Sequence, residues 1–174
     1  MKKHSGFTLL ELMITLTIVG LVTAFAIPSM RTFTQNDRLA TQINALVGHL
    51  ALARSEAVLR SQQVILCVSG NSTSCSGNDW SAGWIVFIDA DNDSGFTAGE
   101  TIVRAQPALE GGNTLNSAVG NTVIYDNRGF ATPGSVGTFS LCDDRGTEFI
   151  KAIAISNTGR VRKMEADDPG VPSC

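Results

Sequence analysis

The segment Gly159-Arg160-Val161-Arg162-Lys163 sets three cations in four consecutive positions of a chain with 13 Lys and Arg against 16 Asp and Glu. Read as a strand, it sends Arg160 and Arg162 to one face with Lys163 beside them. Lys151 belongs to the same cluster, and Arg145 and Arg128 extend it. Such a cluster suits anion recognition. A formal net charge of −3 confines any phosphate binding to this patch, because the surface as a whole repels a polyanion. The competing use of the same residues is an exposed edge strand kept from pairing by its charges.

A second cluster is acidic. Asp89, Asp91, Asp93 and Glu100 fall at positions one, three, five and twelve of a stretch spaced like a calcium-binding EF-hand loop. Its glycine, Gly95, comes at seven where that loop needs it at six, and the preceding residues read as a strand rather than a helix. The expectation is a solvated acidic hairpin loop and no metal site, with weak calcium binding as the alternative. Catalysis has few candidates. The two histidines, His4 and His49, lie outside the strand-rich part, and the pairs Asp143-Asp144 and Asp167-Asp168 are adjacent in sequence rather than opposed. No glycine-rich phosphate loop is recognisable. The expectation is a non-enzyme without a cofactor.

The elements that position these residues follow from periodicity. Between Phe7 and Ile27 the only charge in 21 residues is Glu11, a length and composition that can cross a hydrocarbon layer as a helix. Lys2 and Lys3 before it and Arg31 after it fit a cytoplasmic N-terminus, which leaves the chain from Pro28 onward outside the cytoplasm. A cleaved signal peptide, ending near Ala24 or Ala26, is the alternative. Glu11, a carboxylate within the apolar stretch, asks for a partner.

Beyond Pro28, Leu39, Ile43, Leu46, Val47, Leu50, Ala53 and Ala57 recur at three- and four-residue steps, which predicts one helix from Phe7 to about Arg60, bent or loosened at Pro28. Seven β-branched runs then follow: QVILCVS, GWIVFID, ETIVRAQ, NTVIYDN, GTFSLCD, FIKAIAIS and GRVRK. Hairpin turns are expected at Asn127-Arg128-Gly129 and Asn157-Thr158-Gly159. The fold class is α+β, a helical spine packed on a mostly antiparallel sheet or small sandwich.

Gly6-Phe7-Thr8-Leu9-Leu10-Glu11-Leu12 resembles the cleavage and methylation motif of type IV pilins and type II secretion pseudopilins. The resemblance implies a type IV pilin fold, cleavage after Gly6 by a prepilin peptidase, methylation of Phe7, and a Glu11 that meets the N-terminal ammonium of a neighbouring subunit in a filament. It divides the chain into a leader (1–6), a transmembrane and filament-core helix (7–28), an amphipathic helix half (29–62) and a β-rich head (63–174). Within that family Trp80-Ser81-Ala82-Gly83-Trp84-Ile85-Val86-Phe87-Ile88-Asp89, Gly99-Glu100, Val103-Arg104 and Phe139 to Asp143 are similar to the FimT and GspH group of minor pilins and pseudopilins.

The Gly-Arg-x-Arg pattern at Gly159 resembles the DNA-binding motif of FimT-type competence pilins. It implies non-specific binding of extracellular double-stranded DNA by Arg160 and Arg162, with Lys163 and Lys151 supporting, for uptake in natural transformation. Removal of Lys2 and Lys3 with the leader would leave 11 cations against 16 carboxylates, a charge of −5, and Glu165, Asp167 and Asp168 stand close to the motif. The alternative is a structural pseudopilin like GspH, in a type II secretion filament or priming a pilus, that binds only protein partners. An adhesive tip subunit would instead use the loop in the 90s. Expected partners are other pilins, the peptidase and the inner membrane, with the head in the periplasm or at the cell surface. Four cysteines in such a compartment allow three disulfide pairings. The pairing expected is Cys67 with Cys75, closing a short loop, and Cys142 with Cys174, pinning the tail.

Overall fold

The computed structural model describes residues 6–165 and 167–174, so the leader expected over residues 1–6 lies outside the described residues except for Gly6. The first element begins at a cap. Thr8 Oγ1 accepts the Glu11 N–H at 3.2 Å, which sets Thr8 and Glu11 at the cap and third positions of α1 (Leu9–Arg60). A carboxylate here also faces the partial positive charge of the first helical turn, a local reason for an acid at the mouth of an apolar helix.

The chain divides into two compact units, Met1–Asp37 and Arg38–Cys174. In the first, the large apolar side chains from Phe7 to Phe33 are exposed, and the helix is long and apolar enough to cross a membrane. Its hydroxyls need no water: Thr15, Thr17 and Thr23 each donate to a carbonyl three or four residues back, at 2.8 to 3.1 Å. Pro28 sits inside the helix and, lacking an N–H, leaves the Ala24 carbonyl without its helical donor.

The second unit carries the rest of α1 and eight strands. Leu39, Ile43, Leu46, Leu50, Ala53 and Ala57 of α1 are buried at steps of three and four, which makes one apolar stripe facing the core. The strands are β1 (Gln63–Val68), β2 (Trp84–Asp89), β3 (Thr101–Gln106), β4 (Thr114–Ser117), β5 (Thr122–Tyr125), β6 (Gly137–Cys142), β7 (Lys151–Ile155) and β8 (Val161–Met164). They form two four-stranded antiparallel sheets, in the orders β3-β2-β1-β5 and β4-β6-β7-β8. One face of each sheet meets the α1 stripe in a common core that includes Val64, Leu66, Trp84, Val86, Phe139, Leu141, Ile153 and Ile155.

The opposite faces are covered too, one by a loop and the other by the C-terminal tail. On the first sheet Ile65, Cys67, Ile85 and Phe87 pack with Phe96. On the second, Ala152, Ala154 and Met164 pack with Ile150 and Val171. Burial on both faces explains why β1 and β2 read as unbroken apolar runs instead of alternating. The expected turn at Asn127-Arg128-Gly129 does form, with Gly129 N–H on Asp126 O at 2.8 Å and Asp126 N–H on Phe130 O at 2.9 Å. It closes a short hairpin, in which Tyr125 of β5 bridges Ala131 antiparallel and Thr132 N–H reaches Ile124 O at 3.1 Å, before the chain crosses to β6 in the other sheet.

Candidate nucleic-acid interface

The basic segment occupies β8, the outermost strand of the second sheet, paired with β7 alone. A tight turn delivers it. Ser156 N–H reaches Arg160 O at 2.9 Å, Gly159 N–H reaches Ser156 O at 2.8 Å, and Arg160 N–H reaches Ser156 Oγ at 3.2 Å. Gly159 has φ +73°, and a Cβ there would run into the Gly129 carbonyl oxygen, so only glycine fits where this turn presses on the Asp126 turn. The same carbonyl accepts Arg54 Nε at 3.0 Å, which ties both turns to α1.

Alternation along β8 separates the cations. Val161 packs on the common core, and Met164 is buried in the outer cluster, so Lys163 shares the face of Val161 while Arg162 and Arg160 share that of Met164. Arg160, Arg162 and Lys163 are all exposed, and Lys151 at the start of β7 is half-buried. Lys151 lies on the face of Ile153, opposite Lys163 in the ladder, so the two lysines border the cleft between β8 and α1 at Ala40, Ile43 and Asn44. Backbone alternation therefore sets Lys151 and Lys163 on the core-side face and Arg162 on the other, although Arg162 also borders that cleft and Arg160, in the turn before β8, borders a neighbouring one with Arg54 and Val58.

Their electrostatic partners differ as well. Among the described residues Arg160 and Arg162 form no ion pair, whereas Lys163 Nζ lies 3.7 Å from Glu165 Oε1 with both side chains about three-quarters exposed. Asp168 Oδ2 accepts the Glu165 N–H at 3.0 Å, and Asp167 is exposed. The two outlying arginines are engaged. Arg145 donates through Nε and Nη2 to Asp143 Oδ2 at 2.9 and 2.6 Å and stacks 3.9 Å over the Phe149 ring. Arg128 donates to Asp126 Oδ2 at 3.2 and 2.9 Å and lies over Phe130. Burial opposes the charge on both aspartates. Backbone and arginine hydrogen bonds outweigh it and hold each carboxyl below its ordinary value.

The other sequence candidates lie apart from this edge. Asp89 is buried at the end of β2, with Asp91 and Asp93 exposed beside it. Glu100 accepts the Ala90 N–H at 3.0 Å and the Thr97 N–H at 2.9 Å, one on each oxygen. Disulfides join Cys67 to Cys75 and Cys142 to Cys174, with S–S distances of 2.00 and 2.04 Å. The second holds the tail on the outer face of its sheet, where Asn116 Nδ2 also donates to Ser173 O at 3.0 Å and Thr138 donates to Gly170 O. Gly6 and Phe7 are exposed ahead of α1. His49 is structural: its Nδ1 accepts the Trp84 indole N–H at 3.0 Å, and burial, helped by Arg104, lowers its pKa. The clamp of Gly159 and Arg54 on the Gly129 carbonyl escaped the sequence reading; its one visible trace was a glycine ending each of two similar turns.

Comparisons with known proteins converge on one group. Residues 42–159 match the family described as type II transport protein GspH, and residues 1–27 match the prokaryotic N-terminal methylation motif. The GspH match stops at Gly159, one residue before Arg160. A fimbrial protein of Pseudomonas aeruginosa is 32% identical over 73 residues, which are 42% of this chain and 47% of that protein, so the chain spans about half the length of the curated relative. Among solved structures, the type IV minor pilin FimU of Pseudomonas aeruginosa aligns with TM-score 0.58 at 21% identity, covering 78% of this chain and 95% of that one. The minor pseudopilin EpsH of the Vibrio cholerae type 2 secretion system aligns with TM-score 0.52 at 12% identity, covering 75% and 99%. At these identities the structural likeness shows the fold.

Proposed function

The chain belongs to the type II transport protein GspH family, and from that premise we propose that it is a FimT-like minor type IV pilin that binds extracellular double-stranded DNA for uptake in natural transformation. The observation that carries this reading is the pair Arg160 and Arg162, two exposed guanidinium groups on an edge strand with no ion-pair partner among the described residues. Two strand positions span roughly 6.8 Å, a length of duplex axis that carries about four phosphate charges. Both groups donate in fixed forks suited to phosphate oxygens. Lys163 and Lys151 support from the other face, weakened at Lys163 by Glu165.

In this reading a prepilin peptidase cuts after Gly6 and the new N-terminal Phe7 is methylated. α1 anchors the chain in the inner membrane with its head in the periplasm until it joins other pilins at the cell surface. Glu11, beyond its local role at the helix cap, meets the terminal ammonium of a neighbouring subunit. With about three phosphate contacts, affinity is weak and independent of sequence, and it falls roughly 40-fold between about 50 and 200 mM salt. Several copies in one filament recover strength through multivalency.

The test is fluorescence anisotropy of a short duplex of mixed sequence against the mature chain in nanodiscs, disulfides intact, at two salt concentrations. Binding that weakens with salt and falls about 20-fold in the Arg160→Ala, Arg162→Ala double variant is the expected result. Absence of binding by the unaltered chain at low salt would sink the proposal. It would favour the second reading, a structural pseudopilin of a type II secretion filament, in which the β8 charges only keep an edge strand from pairing.

A further inference from the structure

Asp89 closes β2 on the face that carries Ile85 and Phe87, and its side chain is wholly buried. The loop after it folds back over that face. Phe96 stands edge-on to Phe87 with ring centroids 5.2 Å apart, and Asn92 and Ser94 take left-handed backbone conformations at φ 59° and 65°. Glu100 ties the loop's two ends through the N–H groups of Ala90 and Thr97. The carboxylate at position twelve of the EF-hand spacing is thus occupied with bracing the loop.

The two oxygens of Asp89 are treated differently. Oδ2 accepts from Gln63 Nε2 at 2.9 Å and from Ser94 N–H at 3.1 Å. Oδ1 is buried with no hydrogen-bond donor. Asp91 and Asp93, both exposed, bring carboxylate oxygens to within 4.8 Å of that of Asp89 and of each other. Their remaining contacts are with the loop: Asp91 Oδ1 accepts from Asp93 N–H at 3.3 Å, and Asp93 Oδ1 from Gly95 N–H at 2.7 Å. A buried carboxylate oxygen without a donor, beside two more carboxylates, is an unfavourable arrangement on its own. Burial accordingly pushes the Asp89 carboxyl above its ordinary pKa.

We propose that Asp89, Asp91 and Asp93 bind a hard divalent cation, calcium in preference to magnesium, with Asp89 Oδ1 as the buried ligand. One cation supplies the missing partner of Oδ1 and relieves the repulsion among all three groups. Calcium fits better because it accepts an irregular oxygen shell completed by water and backbone carbonyls, whereas magnesium demands a near-octahedral one and gives up its waters reluctantly. Three carboxylates on a partly open loop resemble the calcium sites of extracellular modules, with dissociation constants of about 10⁻⁴ to 10⁻³ M. The site lies on β2, in the other sheet from β8, and does not depend on the DNA reading.

Calorimetric titration of calcium chloride into the full chain in detergent, beside thermal unfolding with and without the ion, tests the site. The expected outcome is a dissociation constant in the range above, a rise in Tm of roughly 5 °C at saturating calcium, and less than half that rise in magnesium. The Asp91→Asn, Asp93→Asn double variant changes only exposed residues, keeps the fold, and should lose at least about tenfold in calcium affinity together with the Tm rise. Absence of both heat and Tm change in the unaltered chain at millimolar calcium would overturn the proposal. So would a calcium response of equal size in the double variant.

Discussion

Two pairs of arginines in the head differ by what stands two residues before them. Arg128 follows Asp126 and Arg145 follows Asp143 at that spacing, and both guanidinium groups fold back onto those carboxylates. Arg160 follows Thr158 and Arg162 follows Arg160, and neither has an ion-pair partner among the described residues. The first pair holds turns together; the second is available to a ligand. Total charge says little about which cations can meet a phosphate. A carboxylate two positions upstream in a turn occupies a guanidinium's donors, more effectively at the half-buried Arg145 than at Arg128, which stays exposed.

The comparison can be broken most forcefully at Arg145. Its alanine variant leaves the Asp143 side chain, 3% exposed, without its guanidinium partner, and should lose about 3 kcal/mol of unfolding free energy by chemical denaturation. The folded fraction should still bind DNA within about twofold of the original. Removing Arg160 and Arg162 together should do the reverse: a roughly 20-fold loss in DNA affinity, about 1.8 kcal/mol, with Tm unchanged. Thr158→Asp sharpens the rule, because it writes the capturing spacing into the exposed turn before Arg160. We expect affinity to fall about fivefold, or about 1 kcal/mol, while Lys163→Ala has a smaller effect. Equal DNA binding by the Thr158→Asp variant and the original would show that the two-residue spacing has no predictive value.

The smallest effect lies in the pH dependence. Asp126 and Asp143 have folded-state pKa values below their unfolded ones, so each adds stability above the ordinary carboxylate value that is lost as pH falls through the lowered value. Thermal unfolding across the acidic range should therefore show Tm falling on acidification. The fall should be shallower in Arg145→Ala, which returns Asp143 toward its unfolded behaviour.

Much of this arrangement was legible in the sequence. The three- and four-residue recurrence from Leu39 to Ala57 gave the buried stripe of α1, and seven of the eight strands stood out as β-branched runs. β4 did not, because Thr114–Ser117 is short and polar and buries a single large apolar side chain, Leu115. The split into two sheets was equally hidden: β1 pairs with β5 across an intervening hairpin, and such pairing leaves no local trace. At the site, alternation separated Arg160 and Arg162 from Lys163 in principle, but only the buried Val161 and Met164 say which side each faces. Asp89 read as a loop acid because its burial depends on Phe96 and the returning loop, which no pattern of residue types announces.

The disulfides also impose an order in time. Cys67 and Cys75 are separated by eight positions and Cys142 and Cys174 by 32, a difference of two doublings that adds about 1.2 kcal/mol of closure entropy to the longer ring. In the proposed topology, where the N-terminus stays at the membrane and the head crosses in sequence order, Cys75 arrives as the nearest oxidation partner of Cys67 before Cys142 has emerged. Export in that order would bias the four thiols toward one of their three pairings, with the second bond waiting until β6 and the tail can meet. An oxidative folding catalyst that closes the first bond would leave an intermediate with Cys142 and Cys174 still reduced, the substrate for its second action.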